Sequence, residues 1–294
     1  MNVFVRRPDG AWRSSVRAFL VASLTIVAAA PAMRVEASEG PVVALAFAGA
    51  SHTLIRADAH ALFASRDEGR DWQPVAVPNA IARGTIASVA VAARGADVLY
   101  IAGPGLGVWR SRDGGRNWMA KSDGLPSTAV AALTTHAEQP DTVYAYLPGQ
   151  GIFRSDDGGD HWRLMDVGPR EPIVRFVHSN MPGSMQTGWL FAATASGVSR
   201  SMDCFCGWRD AGALKSAVTG VAYDPNESKR VYAVTASGVS ISEDGGEHWS
   251  RAESPGAPIA ALVVGDNGVL YAADGKGRLF RSSDHGHTWL RVDA

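Results

Sequence analysis

Cysteine is nearly absent from this chain: two residues in 294, Cys204 and Cys206. That excludes a disulfide-rich scaffold and a site built on several thiolates. Long hydrophobic runs are missing too. The apolar run Ala18 to Ala30 stops at Pro31 after 13 residues, short of the roughly 20 that a membrane-spanning helix needs. Neither sign of charge is in excess, with 28 basic and 29 acidic side chains, so the basic surplus of a nucleic-acid binder is lacking. Aromatic residues make up only 8%.

What the first 37 residues do contain is five arginines followed by that short apolar run. These are the charged and hydrophobic regions of a secretory signal. Small residues at Val35-Glu36-Ala37 and at Ala30-Pro31-Ala32 both offer a cleavage site, and the first, releasing a chain that starts at Ser38, is preferred. Arg6-Arg7 is followed by Pro-Asp-Gly instead of the apolar context of twin-arginine export, and no lipobox cysteine is present. The expectation is a periplasmic or secreted, monomeric protein with no stable membrane span. Residues 38–294 then form one domain carrying 23 basic and 27 acidic residues.

The rest of the chain is a repeat. Ser-x-Asp-x-Gly-x-x-Trp recurs as Ser65, Asp67, Gly69 and Trp72; as Ser111, Asp113, Gly115 and Trp118; and as Ser155, Asp157, Gly159 and Trp162. It returns as Ser242, Asp244, Gly246 and Trp249, and as Ser282, Asp284, Gly286 and Trp289. A further copy, Ser201, Asp203 and Trp208, has lost its glycine to the stretch Cys204-Phe205-Cys206. Successive serines are 46, 44, 46, 41 and 40 residues apart, the period of a four-stranded propeller blade. Before each box stand two short β-rich runs joined through glycine, as in VLYIAGPGLGVWRS and TVYAYLPGQGIFRS, which read as a hairpin. An alternating run opens each unit and a fourth strand starts at the tryptophan. The fold class expected is therefore all-β, a six-bladed propeller of four-stranded antiparallel blades. Its ring must close by packing blade six on blade one, because no blade is shared between the two ends.

Within the box, the Asp carboxylate suits backbone N–H groups of the turn, the Gly allows a positive φ, and the Trp fills the space between neighbouring sheets. The six box aspartates are thus structural fasteners. With the linkers that begin at Asp224 and His136, these boxes resemble the Asp-box (BNR repeat) propeller superfamily. It includes bacterial sialidases, xyloglucan-cleaving glycosidases, the luminal domain of sortilin and the photosystem II stability/assembly factors. The resemblance implies fold strongly and function weakly.

It also implies that any chemistry lies opposite the boxes, on the face formed by the turns between second and third strands and by the connections between blades. Those turns are short here. The early Arg-Ile-Pro-type motif that usually accompanies the arginine triad of sialidases is absent, and Tyr100, Tyr144, Tyr232 and Tyr271 share one repeat position as packing residues. Of the tryptophans outside the boxes and the signal, Trp109 holds a repeat position, so only Trp189 is spare for stacking a sugar. Asp123, Asp166, Glu171, Asp210 and Glu253 fall in inter-blade connections, where a glycosidase pair would have to form. No catalytic residue is assigned.

Arg83, Lys121, Arg170, Arg175, Lys215 and Arg251, from different blades, form the expected binding patch for a protein partner. Assembly-factor relatives use a basic surface in this way. Cys204 and Cys206 are expected as a disulfide or as free thiols, with redox chemistry the alternative. His161, His248, His285 and His287 occupy variable box positions, and no metal or other cofactor is expected. The leading function is a non-catalytic scaffold for an envelope protein. The alternative is a glycoside hydrolase, sialidase-like or xyloglucanase-like.

Overall fold

A computed structural model describes residues 40–93, 98–185, 188–214 and 216–292. The expected signal segment and Lys215 lie outside them. The described residues form six four-stranded antiparallel sheets, and each runs first, second, third, fourth strand in chain order. The sequence expectation of six such blades is met. One short helix, Asn79–Ala82, and two 3-10 turns are the only helical pieces among the described residues, and no helix there is long and apolar enough to cross a membrane.

Residue chemistry grades outward through each blade. The innermost strands (Val42–Ala48, Ser88–Val91, Ala132–Thr135, Arg175–Ser179, Val218–Tyr223 and Ile259–Val264) face one another around the axis. The second strands, such as Val143–Leu147 and Val231–Thr235, are buried along their whole length. Both of their faces are covered by neighbouring blades, so they read Val-Tyr-Ala-Tyr-Leu and Val-Tyr-Ala-Val-Thr instead of alternating between apolar and polar. The outermost strands, such as Ser250–Arg251 and Leu290–Arg291, are exposed and polar at half their positions or more. The core is accordingly a ring of inter-blade layers. Between blades two and three, for example, Tyr100 and Val108 pack on Val143 and Phe153.

Three devices tie neighbouring blades together. The first is the box turn. In an intact box the Ser111 hydroxyl donates to Asp113 Oδ1 at 2.8 Å and accepts the Gly115 N–H, while the Asn117 N–H reaches the same carboxylate oxygen. Gly115 has φ +92°, and a Cβ there would meet Val75 Cγ1 of the preceding blade at 2.3 Å, so glycine is needed for both the turn and the close approach. The other intact boxes repeat the turn, with Gly69, Gly159, Gly246 and Gly286 at φ between +87° and +94°. Sequence reasoning gave these glycines a role in the turn alone, and the structure corrects it. A Cβ would also meet Leu279 Cδ2 at 2.1 Å from Gly69, Ala211 Cβ at 2.9 Å from Gly246 and Lys121 Cβ at 3.0 Å from Gly159. Each of those contacts lies on the preceding blade. Only at Gly286, where Ala252 Cβ would stand 3.4 Å away, does the neighbouring blade leave ordinary room.

The other two devices are side-chain bonds across the boundary. The box indole donates backwards: Trp118 to Ala76 O, Trp162 to Lys121 O, Trp249 to Ala211 O and Trp289 to Glu253 O, at 2.7–3.1 Å. Third-strand arginines reach forwards, Arg110 to Gly158 O of the next box and Arg200 to Gly245 O and Glu247.

The seam of the ring uses the same parts. Inner strand Ile259–Val264 packs on Val42–Ala48. Leu279 and Tyr271 of blade six share a buried cluster with Leu54, Phe63 and Trp72 of blade one. Arg281 pairs with Glu68 in the first box at 3.4 Å. Closure therefore rests on side-chain packing, as expected from a chain whose blades are each contiguous.

Candidate functional site

Three places depart from the repeat and are candidates for function: the fourth box, the face opposite the boxes, and the axis.

In the fourth box the turn has been rebuilt. Where intact boxes have two successive positive-φ residues ending in glycine, here Phe205 alone takes the left-handed conformation at the glycine position, with φ 54°. Its ring is buried against Tyr144 and Trp208, between blades three and four. Ser201 donates to Met202 O instead of to the aspartate, and Asp203 N–H donates to Gly188 O. Asp203 is turned inward and is fully buried. Cys204 and Cys206 are bridged across the Phe205 turn.

The Asp203 carboxylate faces two buried histidines that sequence reasoning passed over. His136 ends the inner strand of blade three and His178 lies in that of blade four. Their rings stack at 3.8 Å, and their Nε2 atoms lie 4.0 and 3.7 Å from Asp203 Oδ2. This trio is the one His/Asp grouping with metal-ligand proximity among the described residues. Its hydrogen bonding argues against a metal. Glu138 and Gln139 N–H donate to His136 Nδ1, and Ala137 N–H donates to His178 Nδ1. An Nδ1 that accepts is unprotonated, so each neutral ring carries its proton on Nε2, pointed at Asp203. A metal on Nε2 would need that proton moved to Nδ1, against three backbone donors, whereas ligating histidines normally donate from the other nitrogen. Burial, with His178 and Arg154 adding to it, pushes His136 down to about 3, and burial lowers His178 as well. The trio is a neutral histidine pair whose Nε2 atoms face a buried carboxylate at 3.7 and 4.0 Å. Two histidines at the inner-strand ends of adjacent blades, next to the one damaged box, were the signal for it.

On the face opposite the boxes, the six basic residues have different fates. Arg83, Arg170 and Arg251 are exposed, on blades one, three and five or on the connections that leave them. They are therefore spread around the ring and not gathered. Arg83 donates to Asn79 O and Arg251 to Ser237 O. Lys121 is spent between blades, paired with Asp160. Arg175 turns away from the outer surface to the axis. Of the acidic residues on inter-blade connections, Asp166 is engaged by Trp208 Nε1 at 2.8 Å and Gly168 N–H at 2.7 Å. Asp123 and Glu253 are exposed on separate connections, whereas Asp210, expected on a connection, is exposed at the end of the fourth strand Arg209–Asp210. The spare Trp189 is buried, donates to Pro182 O and stacks under Arg200 and Arg209, so it offers no ring to a sugar. His161 and His248 cap the carboxylates of Asp157 and Asp244 in their own boxes.

The connection from blade three to blade four stands apart. Six large hydrophobic side chains are exposed among the described residues, and three of them, Leu164, Val167 and Val174, fall within eleven residues that also carry exposed Arg170. Val167 is 77% exposed.

The axis holds a cavity of about 540 Å³ lined by all six inner strands. Its mouth, on the box face, is rimmed by the turns at His52, Asn226 and Asp266, and Arg175 stands at the far end. That guanidinium crosses the ring from blade four to blade one, donating to Val43 O at 2.8 Å and to its neighbour Val174 O at 2.9 Å.

No protein-family model matches the sequence, and no curated protein matches it. Among solved structures, the chain is similar to the GH74 xyloglucanase from Xanthomonas campestris, with TM-score 0.64 and 16% identity over 86% of this chain and 45% of the enzyme. It thus spans less than half of that enzyme's length. It is similar to YCF48 bound to D1 peptide, with TM-score 0.55 and 18% identity over 86% of this chain and 82% of that one. It is likewise similar to YCF48 from Cyanidioschyzon merolae, with TM-score 0.55 and 18% identity over 86% and 85% of the two chains. At such identities the likeness is one of fold, and the chain is a six-bladed β-propeller similar in fold to the GH74 and YCF48 propellers.

Proposed function

We infer that this propeller is a non-catalytic, exported scaffold that holds a protein partner of the cell envelope on the face opposite its boxes. The observation behind this reading is the stretch from the last strand of blade three into the connection to blade four, where Leu164, Val167 and Val174 are exposed and exposed Arg170 falls among them in sequence. Apolar side chains concentrated in one short stretch of chain, with a cation among them, suit a polypeptide surface better than a sugar or a nucleic acid. The fold likeness to YCF48, solved with a bound peptide, supports the same class of ligand. An affinity capture from envelope extract tests it. The exported chain should retain one polypeptide, and a Val167→Asp/Arg170→Glu variant should lose it with an unchanged melting temperature. Equal capture by the variant removes this face from the proposal.

The glycoside hydrolase reading draws on the fold likeness to GH74 enzymes. It is tested on the same samples with xyloglucan and a sialoside. Turnover abolished by changing Asp123, Glu171, Asp210 or Glu253 would replace the scaffold reading.

A further inference from the structure

Arg175 is the one charged residue in the six inner strands, and it stands at the centre of the ring. Its cross-channel bond to Val43 O and its bond to the adjacent Val174 O both go to neutral carbonyls, and no carboxylate pairs with it among the described residues. Hydrogen bonds to carbonyls use two of its five N–H groups but leave its charge uncompensated. A cation drawn out of bulk water without a counter-charge is costly unless something anionic joins it. Burial lowers its affinity for the proton, with no acidic neighbour acting against the shift.

Everything else about the cavity describes what that anion is attached to. The walls mix aliphatic side chains, Val91, Val177 and Leu262 among them, with the hydroxyls of Ser88, Thr134 and Thr135. At the turns on the box face stand His52, Asn226 and Asp266, where His52 and Asp266 already pair with each other. About 540 Å³ is within the range of small-molecule sites. Arg175 lies at the end of the cavity away from the box face, so a ligand entering from the box face reaches it with its leading end.

We propose that the axial channel is a binding site for a slender organic carboxylate, with its carboxylate on Arg175 and its aliphatic body along the inner strands. The carboxylate takes the guanidinium N–H groups that the carbonyls leave over, a charge-assisted contact in a site screened from water. The aliphatic body supplies apolar burial. Val174 borders both this site and the proposed protein-binding face, but the proposal does not depend on that reading.

Octanoate is the probe, with 1-octanol as the uncharged control, and titration calorimetry and thermal shift are the readouts. Wild type should bind octanoate more tightly than 1-octanol by at least tenfold. Arg175→Met should lose that preference while binding 1-octanol as before. Leu262→Phe, which narrows the lumen and leaves the guanidinium in place, should weaken both ligands at least tenfold. The Arg175 side-chain N–H resonance should move on adding octanoate, and this and the Leu262→Phe result carry the test if Arg175→Met fails to fold. No octanoate binding at millimolar concentration, an undiminished preference in Arg175→Met, or full binding in Leu262→Phe would each overturn the proposal.

Discussion

In the box of blade five, Asp244 is 42% exposed and accepts the Ser242 hydroxyl and the His248 N–H, so its carboxylate organises its own turn. In blade four, Asp203 is 0% exposed and serves two histidines from the inner strands of blades three and four. An intact box holds one hairpin and lets glycine touch the blade before it. The rebuilt box gives up that local bonding, puts Phe205 where glycine was, and ties two blades through a buried carboxylate. One repeat position can thus be a turn fastener or an inter-blade bolt, depending on whether its carboxylate stays in water.

The comparison is broken most directly by removing each carboxylate. Asp203→Ala removes the buried carboxylate that two Nε2–H groups face and leaves a cavity in its place, and should cost about 3 kcal/mol. Asp244→Ala should cost about 1 kcal/mol, because water replaces much of what is lost. Urea denaturation of the two variants checks this, and equal losses would erase the distinction. Next in size, Phe205→Ala removes a buried ring but relaxes a left-handed residue only slightly, for a net loss of about 2.5 kcal/mol. Phe205→Gly should be no worse than the alanine variant if the backbone conformation there is as described.

Acid separates the two kinds of box. His136, at about 3 when folded and near 6.5 when unfolded, binds its proton first in the unfolded chain. Stability is therefore fully present above pH 6.5 and is lost as pH falls towards 3, by about 2 kcal/mol at pH 5. His178 shifts in the same direction. Asp113 is held at about 2 by the Asn117 backbone and side-chain N–H groups, so intact boxes of this kind weaken only below about pH 4. His161, raised by Asp157, works in the opposite sense but is exposed. His136→Asn should flatten the profile between pH 7 and 5, and an unchanged slope would mean that the buried pair is not its source. The smallest effect belongs to the bridge. It closes a loop of only three residues, so a Cys204→Ala/Cys206→Ala variant should lose about 1.5 kcal/mol, measured by denaturation under oxidising conditions.

The blades were legible in the sequence because each carries its own punctuation. Serine, aspartate, glycine and tryptophan at fixed offsets set both the turn and the period, and the Val-Tyr-Ala runs mark strands covered on two sides. Inter-blade contacts were harder to read, since they join residues about 40 apart or more. The close approach of Gly69 to Leu279, the backward indole bonds, the forward bonds of Arg110 and Arg200, and the trio of His136, His178 and Asp203 all depend on which side chains meet across a blade boundary. Arg175 is instructive. Its position at the start of an inner strand was visible, but only the ring closing around it turns a surface cation into one that spans the axis. Val167 and Val174 were passed over because a charge-based search of the connections does not register apolar residues.

Because the seam between Ile259–Val264 and Val42–Ala48 is made of the same packing as every other blade boundary, nothing in the ring singles it out as the place where the chain must be open. The connection at Asp123 or at Glu253 could take the break instead, with a short linker joining the old seam. Such a circular permutant should close the same ring, with a different pair of blades meeting last.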